Sequence, residues 1–206
     1  MPMHVAIFCL SIVDFQQMEK RRKDGNLPVS DDLWDCFQMF YGNLKWENFQ
    51  KATEEETLPI TFVHGDFHPG NIMWLPNDPK CRVRFLDWEV VGLDYGPQEL
   101  GQYVISHVNM SKYGADVQKQ WVEAYYNELV AINPGIRDGC SFDACFSNYV
   151  NGGMRKWLIM LTKISTIDEK IFKFFADQVE TFRKLHDVRP LNVCYPSTKA
   201  DAACSR

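Results

Sequence analysis

Apolar residues recur at helical spacing through the N-terminal part of the chain. Residues 3–23 carry them every three to four positions, which predicts a helix with one buried face that ends at a basic cluster and Gly25. Ser30 and the two aspartates after it predict the start of a second helix, because a serine hydroxyl caps free backbone N–H groups. Residues 53–59 are polar and predict a linker.

The pattern changes to one typical of β-strands at residue 60. Ile60 to Val63 is short and rich in β-branched and aromatic side chains, which predicts a first strand. Residues 71–75 and 81–86 predict two more, in which Val83 and Phe85 alternate with polar side chains. Two prolines with Asn and Asp between them predict a turn at 76–79. The sequence therefore predicts a small β-hairpin between two polar loops.

The rest of the chain is predicted to be helical up to a short tail. Apolar faces indicate helices at 97–110, 115–131, 141–164 and 168–187. Residues 190–206 are small, polar and aperiodic, and we expect them to be disordered.

Composition narrows the choice of compartment and partner. The net charge of −5 gives no basic surface for nucleic acid. The run from Val5 to Val13 is too short to span a membrane and lacks the basic residues of a secretory signal. Seven scattered cysteines without a CxxC pair suit a reducing compartment. We therefore expect a cytoplasmic protein that binds neither nucleic acid nor a membrane.

Three polar side chains stand in an order that suits phosphoryl transfer from ATP. Asp66 follows the first strand, Asn71 comes five residues later, and Asp87 ends the returning strand of the hairpin. This chemistry needs a carboxylate that orients the attacking hydroxyl and accepts its proton, and hard oxygen ligands for magnesium. A loop and a returning hairpin can bring these three groups to one centre.

The same stretch resembles the aminoglycoside phosphotransferase and choline kinase-like family. Residues 64–71 read His-Gly-Asp-Phe-His-Pro-Gly-Asn, and residues 85–89 read Phe-Leu-Asp-Trp-Glu. The family pattern is H-G-D-x-H-x-x-N followed by D-W or D-F, in parallel with H-R-D-x-x-x-x-N and D-F-G of protein kinases. The resemblance is close over residues 60–105 and general over the flanking helices. It departs at Glu99, where the family more often has Asp.

The resemblance implies a role for individual residues and a pair of cofactors. Asp66 would be the catalytic base, and Asn71 and Asp87 would bind Mg²⁺ and ATP. Met73, or alternatively Ile72, would pack under the adenine ring of ATP. The acceptor would be a hydroxyl group on a small molecule.

The resemblance also implies a fold class and a domain organisation. Residues 1–189 are expected to form the C-terminal lobe of a protein kinase-like fold, α+β and mainly helical, with the hairpin inserted near its middle. The smaller N-terminal lobe is expected to be absent, because there is no G-x-G-x-x-G and no Lys on a predicted strand before residue 60. Such a chain would have impaired activity, since that lobe clamps the phosphates of ATP.

Other interpretations stay open at this stage. The chain could be a noncatalytic interaction module derived from a kinase lobe, although such a module has no reason to keep all three polar residues. His64, Asp66 and His68 could instead bind zinc or a pair of metals, although such sites usually need further His ligands.

The chemistry of the acceptor is also open. Three acidic residues near the predicted site, with two aromatic ones, could hold a cation or could belong to the structural pattern of the family: Glu89, Asp94, Glu99, Trp88 and Tyr95.

Overall fold

A computed structural model describes most of the chain, namely residues 3–45, 47–48, 50–51, 60–78, 80 and 82–194, with side chains from residue 12 onward. The chain divides into two compact units. The first lies within Met1–Glu56 and Met154–Arg206, and the second is Thr57–Gly153. Within the described ranges, no helix has both the length and the apolar character needed to cross a membrane.

The described elements make the protein mainly helical, with two small antiparallel sheets. In chain order they are α1 Met3–Lys23, α2 Asp31–Asn43, β1 Ile60–Val63, β2 Ile72–Trp74, β3 Val83–Phe85, β4 Gly92–Tyr95, α3 Gly96–His107, α4 Ala115–Ile132, α5 Ile136–Gly139, α6 Phe142–Ser147, α7 Gly153–Ile164 and α8 Glu169–Leu185. A 3₁₀ turn at Pro69–Asn71, a π-helix at Asn148–Gly152 and a 3₁₀ helix at Pro190–Val193 complete the described elements.

The first unit is a helical core with capped helices. Ser30 caps α2 as predicted, because its Oγ accepts the Leu33 N–H at 3.1 Å. Asp168 lies just before α8 and caps it by accepting the Ile171 N–H at 2.9 Å. The apolar faces predicted for these helices are confirmed as core. The fully buried side chains of this unit include Met18, Phe37, Phe40, Leu158, Leu161, Phe172, Val179 and Phe182.

The sequence analysis places the start of the disordered tail too early, at residue 190. Pro190–Val193 forms a 3₁₀ helix that packs against α2 and buries Val193. Its first turn is closed by Asn192, whose Oδ1 accepts the Arg189 N–H at 2.8 Å. Burial of an apolar side chain therefore holds a segment whose sequence shows no periodicity. Residues 195–206 and the predicted linker at 53–59 lie outside the described residues.

The second unit contains the predicted hairpin. In it, β2 and β3 pair antiparallel, with Ile72 opposite Phe85 and Trp74 opposite Val83. Val83 and Phe85 share one face of the hairpin, and both are exposed in the described structure.

A second strand pair joins the two ends of the polar region. Strands β1 and β4 pair antiparallel, with Ile60 opposite Tyr95 and Val63 opposite Gly92. The sequence analysis does not predict β4, because Gly92 and Asp94 are poor strand formers. Pairing with β1 supplies the backbone hydrogen bonds, and it returns the chain to the start of the loop at 64–71.

The long helix predicted at 141–164 is interrupted. Asn148–Gly152 is a π-helix between α6 and α7. A Cβ on Gly101 of α3 would lie 2.3 Å from the Tyr149 carbonyl oxygen, and one on Gly153 would lie 2.8 Å from the Gly101 Cα. Glycines thus let α3 and the π-helix touch through their backbones, a contact that the helical periodicity does not reveal.

Candidate active site

Glu99 fixes the first residues of the loop at 64–71, which we call the Asp-Asn loop. Its Oε2 accepts the His64 N–H at 2.7 Å, and its Oε1 accepts the Gly65 N–H at 2.6 Å. Glu99 is buried in the first turn of α3. Bonds from N–H groups to a carboxylate are about twice as strong as neutral ones. The helix therefore sets the position at which the loop begins.

Gly65 allows a backbone conformation that other residues would resist. Its φ is +85°, and a Cβ at this position would lie 2.3 Å from the Val90 carbonyl oxygen. The loop can therefore pass directly under the segment that follows Asp87 only because this residue has no side chain.

His64 ties the Asp-Asn loop to the end of β3. Its Nε2 lies 2.7 Å from the Leu86 carbonyl oxygen, and its Nδ1 lies 3.3 Å from the Asp66 backbone nitrogen. These two contacts assign the proton to Nε2, which donates, while Nδ1 accepts the Asp66 N–H. The buried imidazole thus links the residue before Asp87 to Asp66.

Asp66 and Asn71 are in direct contact. The Asn71 Nδ2 donates to the Asp66 carbonyl oxygen at 3.0 Å and to its Oδ2 at 3.3 Å. His68 Nε2 lies 3.3 Å from the same Oδ2. Both donors contact Oδ2 of Asp66, and neither contacts its Oδ1. Because the side chain is 45% exposed, that second oxygen can meet a molecule from solution.

A pair of stacked histidines lies beside Asp66. His68 Nδ1 accepts the Gly70 N–H at 3.0 Å, which leaves its proton on Nε2, facing Asp66. The rings of His68 and His107 stack with centroids 6.1 Å apart. Burial, with a smaller contribution from His68, lowers the pKa of His107 below its ordinary value. The lowered pKa favours the neutral form of His107 at pH 7.

Asp87 lies next to Asn71 because of the hairpin register. The Leu86 N–H donates to the Asn71 carbonyl oxygen at 2.8 Å, one residue beyond the pairing of Ile72 with Phe85. Asp87 has a φ of +58°, in the left-handed region that Asp tolerates better than most residues. The backbone therefore turns sharply at an exposed carboxylate beside the Asp-Asn loop.

The donor set at this point fits a magnesium ion. Asn71 uses its amide nitrogen on Asp66, which leaves its Oδ1 as the remaining polar atom, and Asp87 adds a carboxylate. Magnesium is commonly held by one or two protein oxygens together with substrate phosphates. Met73, predicted to contact adenine, is 42% exposed on the same hairpin.

The alternative zinc site does not form. Both ring nitrogens of His64 bond to backbone groups, so this residue cannot join Asp66 and His68 as a ligand. Among the residues that the structure describes, no group of three or more His, Cys, Asp and Glu side chains could hold a metal ion. The four cysteines described, at positions 36, 140, 145 and 194, are free thiols.

A family comparison decides the ancestry of the chain. A model described as the phosphotransferase enzyme family matches residues 13–133, more than half of the sequence and all of the Asp-Asn loop. The chain belongs to this family. Comparisons with curated proteins and with solved structures found no match. The resemblance drawn from residues 64–71 and 85–89 is thus confirmed at the level of the family.

The sequence analysis left one positioning residue of this phosphotransferase out of its site. Glu99 was noted as a departure from the usual Asp and as one of several acidic residues with an open role, whereas both of its carboxylate oxygens bind the loop. The signal available in the sequence was an acidic residue in the first turn of the helix that follows β4. Its partners lie about 35 residues earlier in the sequence, and no local pattern reveals them.

Proposed function

We propose that this phosphotransferase moves the γ-phosphoryl group of magnesium-bound ATP to a hydroxyl group of a small molecule. The observation that carries the proposal is the contact between Asp66 and Asn71, with two donors on one oxygen of an Asp66 side chain that is 45% exposed. A carboxylate restrained in this way can orient a hydroxyl and accept its proton without reorganising.

Asp66 acts on the acceptor. Its Oδ1 accepts a hydrogen bond from the acceptor hydroxyl, aims the hydroxyl oxygen, and takes the proton as the oxygen attacks phosphorus. Asn71 and His68 hold Oδ2 and keep the carboxylate from turning away. His64 and Glu99 act indirectly, because their hydrogen bonds hold the backbone that carries Asp66.

Asn71 and Asp87 act on the phosphate side. The Asn71 Oδ1 and the Asp87 carboxylate would hold Mg²⁺, and the ion would neutralise charge on the transferring phosphoryl group. Met73 would present apolar surface to the adenine ring. This division of roles corresponds to the larger lobe of a protein kinase-like fold, with the metal side chains on the hairpin.

The acceptor is proposed to be a small molecule with an accessible hydroxyl group. Glu89 and Asp94 lie in the segment after Asp87, and acidic side chains there suit an acceptor that carries an amine. A panel of acceptors should therefore contain cationic amino alcohols and amino sugars beside neutral alcohols and sugars. No observation favours a noncatalytic module over this activity.

Transfer of radiolabelled γ-phosphate to this panel tests the proposal. Asp66→Asn keeps the shape of the side chain but removes its basicity, and it should lower the rate about 10²–10⁴-fold. Binding of magnesium-ATP should persist in this variant. Asp116→Asn, an exposed aspartate in the first turn of α4, is the matched control and should keep the wild-type rate. Equal rates in both variants, or a folded wild-type chain that transfers phosphate to no acceptor, would contradict the proposal.

A further inference from the structure

A cleft of about 400 Å³ opens in the second unit beside the Asp-Asn loop. Asp66, Asn71 and Asp87 do not line it. Its walls come from β1, the Asp-Asn loop, the end of β3 with the segment after it, the start of α3, and the region of helices α4 to α6. They are mostly apolar, including Phe62, Phe67, Trp88, Leu100, Leu129 and Ile136. A volume in this range with predominantly apolar walls is typical of sites for small molecules.

One hydroxyl group points into this apolar setting. The Tyr125 Oη makes no hydrogen bond to any residue in the described part of the chain. Gly96 makes room for it, since a Cβ there would lie 2.3 Å from this oxygen. Burial raises the pKa of Tyr125 to about 12, so the phenol stays protonated at neutral pH and can donate. A ligand in the cleft can therefore accept a hydrogen bond from this hydroxyl.

Two further polar groups of the cleft, Glu99 and Cys145, are bonded within the chain or unreactive. Both carboxylate oxygens of Glu99 accept backbone N–H groups of the Asp-Asn loop. Burial raises the pKa of Cys145 to about 12, so its thiol stays uncharged and is a poor nucleophile. The cleft therefore offers a noncovalent site in which the Tyr125 hydroxyl can donate a hydrogen bond.

Aromatic side chains stand exposed where the cleft meets solvent. Phe62 is 77% exposed and Trp88 is 49% exposed, although both line the cleft. The Trp88 ring is held in place, because its Nε1 donates to the Phe85 carbonyl oxygen at 3.1 Å and it packs on His64 with centroids 4.8 Å apart. Exposed rings fixed at the mouth of an apolar cleft suit a ligand with a flat hydrocarbon body.

We propose that this cleft binds a small uncharged molecule with a flat hydrocarbon ring system and one oxygen that accepts a hydrogen bond from Tyr125. The proposal goes beyond the phosphotransfer activity, since none of the residues assigned to acceptor or metal lines the cleft. Through His64 and Phe67, the Asp-Asn loop also contributes to this second binding site.

Two probes of nearly equal size distinguish the contribution of the hydrogen bond to binding from that of the apolar contacts. The probes are 1-indanone, which carries a carbonyl oxygen, and indane, which does not, titrated in ligand-detected NMR. The wild-type chain should bind both, with 1-indanone the tighter. Tyr125→Phe should weaken binding of 1-indanone about fivefold, the effect of one neutral hydrogen bond, and leave indane unchanged. Equal weakening of both probes would overturn the role of the hydroxyl.

Cleft-filling variants test the location. Leu129→Trp should remove binding of both probes, and Ile136→Trp from α5 provides a second filling variant in case the first does not fold. Leu93→Trp on β4 is the control, because Leu93 is exposed and does not line the cleft. Asp66→Asn should bind both probes like wild type, whether or not phosphotransfer is found. Absence of saturable binding in the wild-type chain, or full binding in a folded filling variant, would overturn the proposal.

Discussion

The contact between Glu99 and the Asp-Asn loop allows a quantitative test by one isosteric substitution. Glu99→Gln keeps the length and volume of the side chain but replaces one carboxylate oxygen with an NH₂ group. The carboxylate accepts two backbone N–H groups, from His64 and Gly65, at 2.7 and 2.6 Å. In the variant, one of these donors faces another donor and loses its partner.

The magnitude follows from the burial of the contact. Hydrogen bonds to a charged group contribute about 1.5–3 kcal/mol each, and an unsatisfied buried donor costs about 1–3 kcal/mol. Glu99→Gln loses one acceptor and weakens the other from charged to neutral. We therefore expect the free energy of unfolding to fall by about 2–4 kcal/mol. Urea denaturation followed by circular dichroism measures this change, with an unchanged m-value showing that the extent of unfolding is the same.

A matched control and a shorter side chain sharpen the test. Glu128→Gln removes the same charge from an exposed position of α4 and should change stability by less than about 0.5 kcal/mol. Glu99→Asp keeps the charge but retracts the carboxylate by one methylene, so it should reach at most one of the two N–H groups. If Glu99→Gln cost no more than Glu128→Gln, the proposed clamp on the loop would be refuted.

Three further changes test other parts of the structure. Gly65→Ala should lower the urea midpoint more than Gly25→Ala: both glycines have positive φ, but only at Gly65 does a new Cβ meet backbone, at 2.3 Å. Equal losses would argue against that contact. Burial lowers the pKa of His186 to about 4, below its ordinary 6.5, so the unfolded state protonates first and stability should fall as the pH drops from 6.5 toward 4. Urea titrations at several pH values should show a smaller fall in His186→Leu, and an identical pH dependence would contradict the assignment. Tyr149→Phe removes a buried hydroxyl that donates to Gln118 at 2.8 Å and should cost about 1–3 kcal/mol in urea unfolding, whereas a negligible loss would show that this bond contributes little.

Features encoded by neighbouring residues could be predicted from the sequence. The cap at Ser30 and the hairpin that carries Asn71 and Asp87 depend on side chains within a few positions of each other. The motif at 64–71 also fixed the family, because its residue types and spacing are rarely combined by chance.

Features that depend on distant partners could not be predicted. Strand β4 exists through its pairing with β1, although Gly92 and Asp94 disfavour a strand. The π-helix at Asn148–Gly152 depends on the approach of Gly101, and the function of Glu99 depends on N–H groups in another element. In each case the deciding contact joins segments that are far apart in the chain.

Calorimetric titration of ATP in the presence of magnesium tests the central claim most directly, that Asn71 and Asp87 form the metal side of a phosphotransferase site. Asp87→Asn is the informative variant, because Asn also tolerates the φ of +58° while it lacks the charge. The account predicts saturable binding by the wild-type chain that disappears when magnesium is chelated and is strongly weakened in Asp87→Asn. A folded wild-type chain that binds no magnesium-ATP, or a variant that binds it as tightly as wild type, would contradict the account.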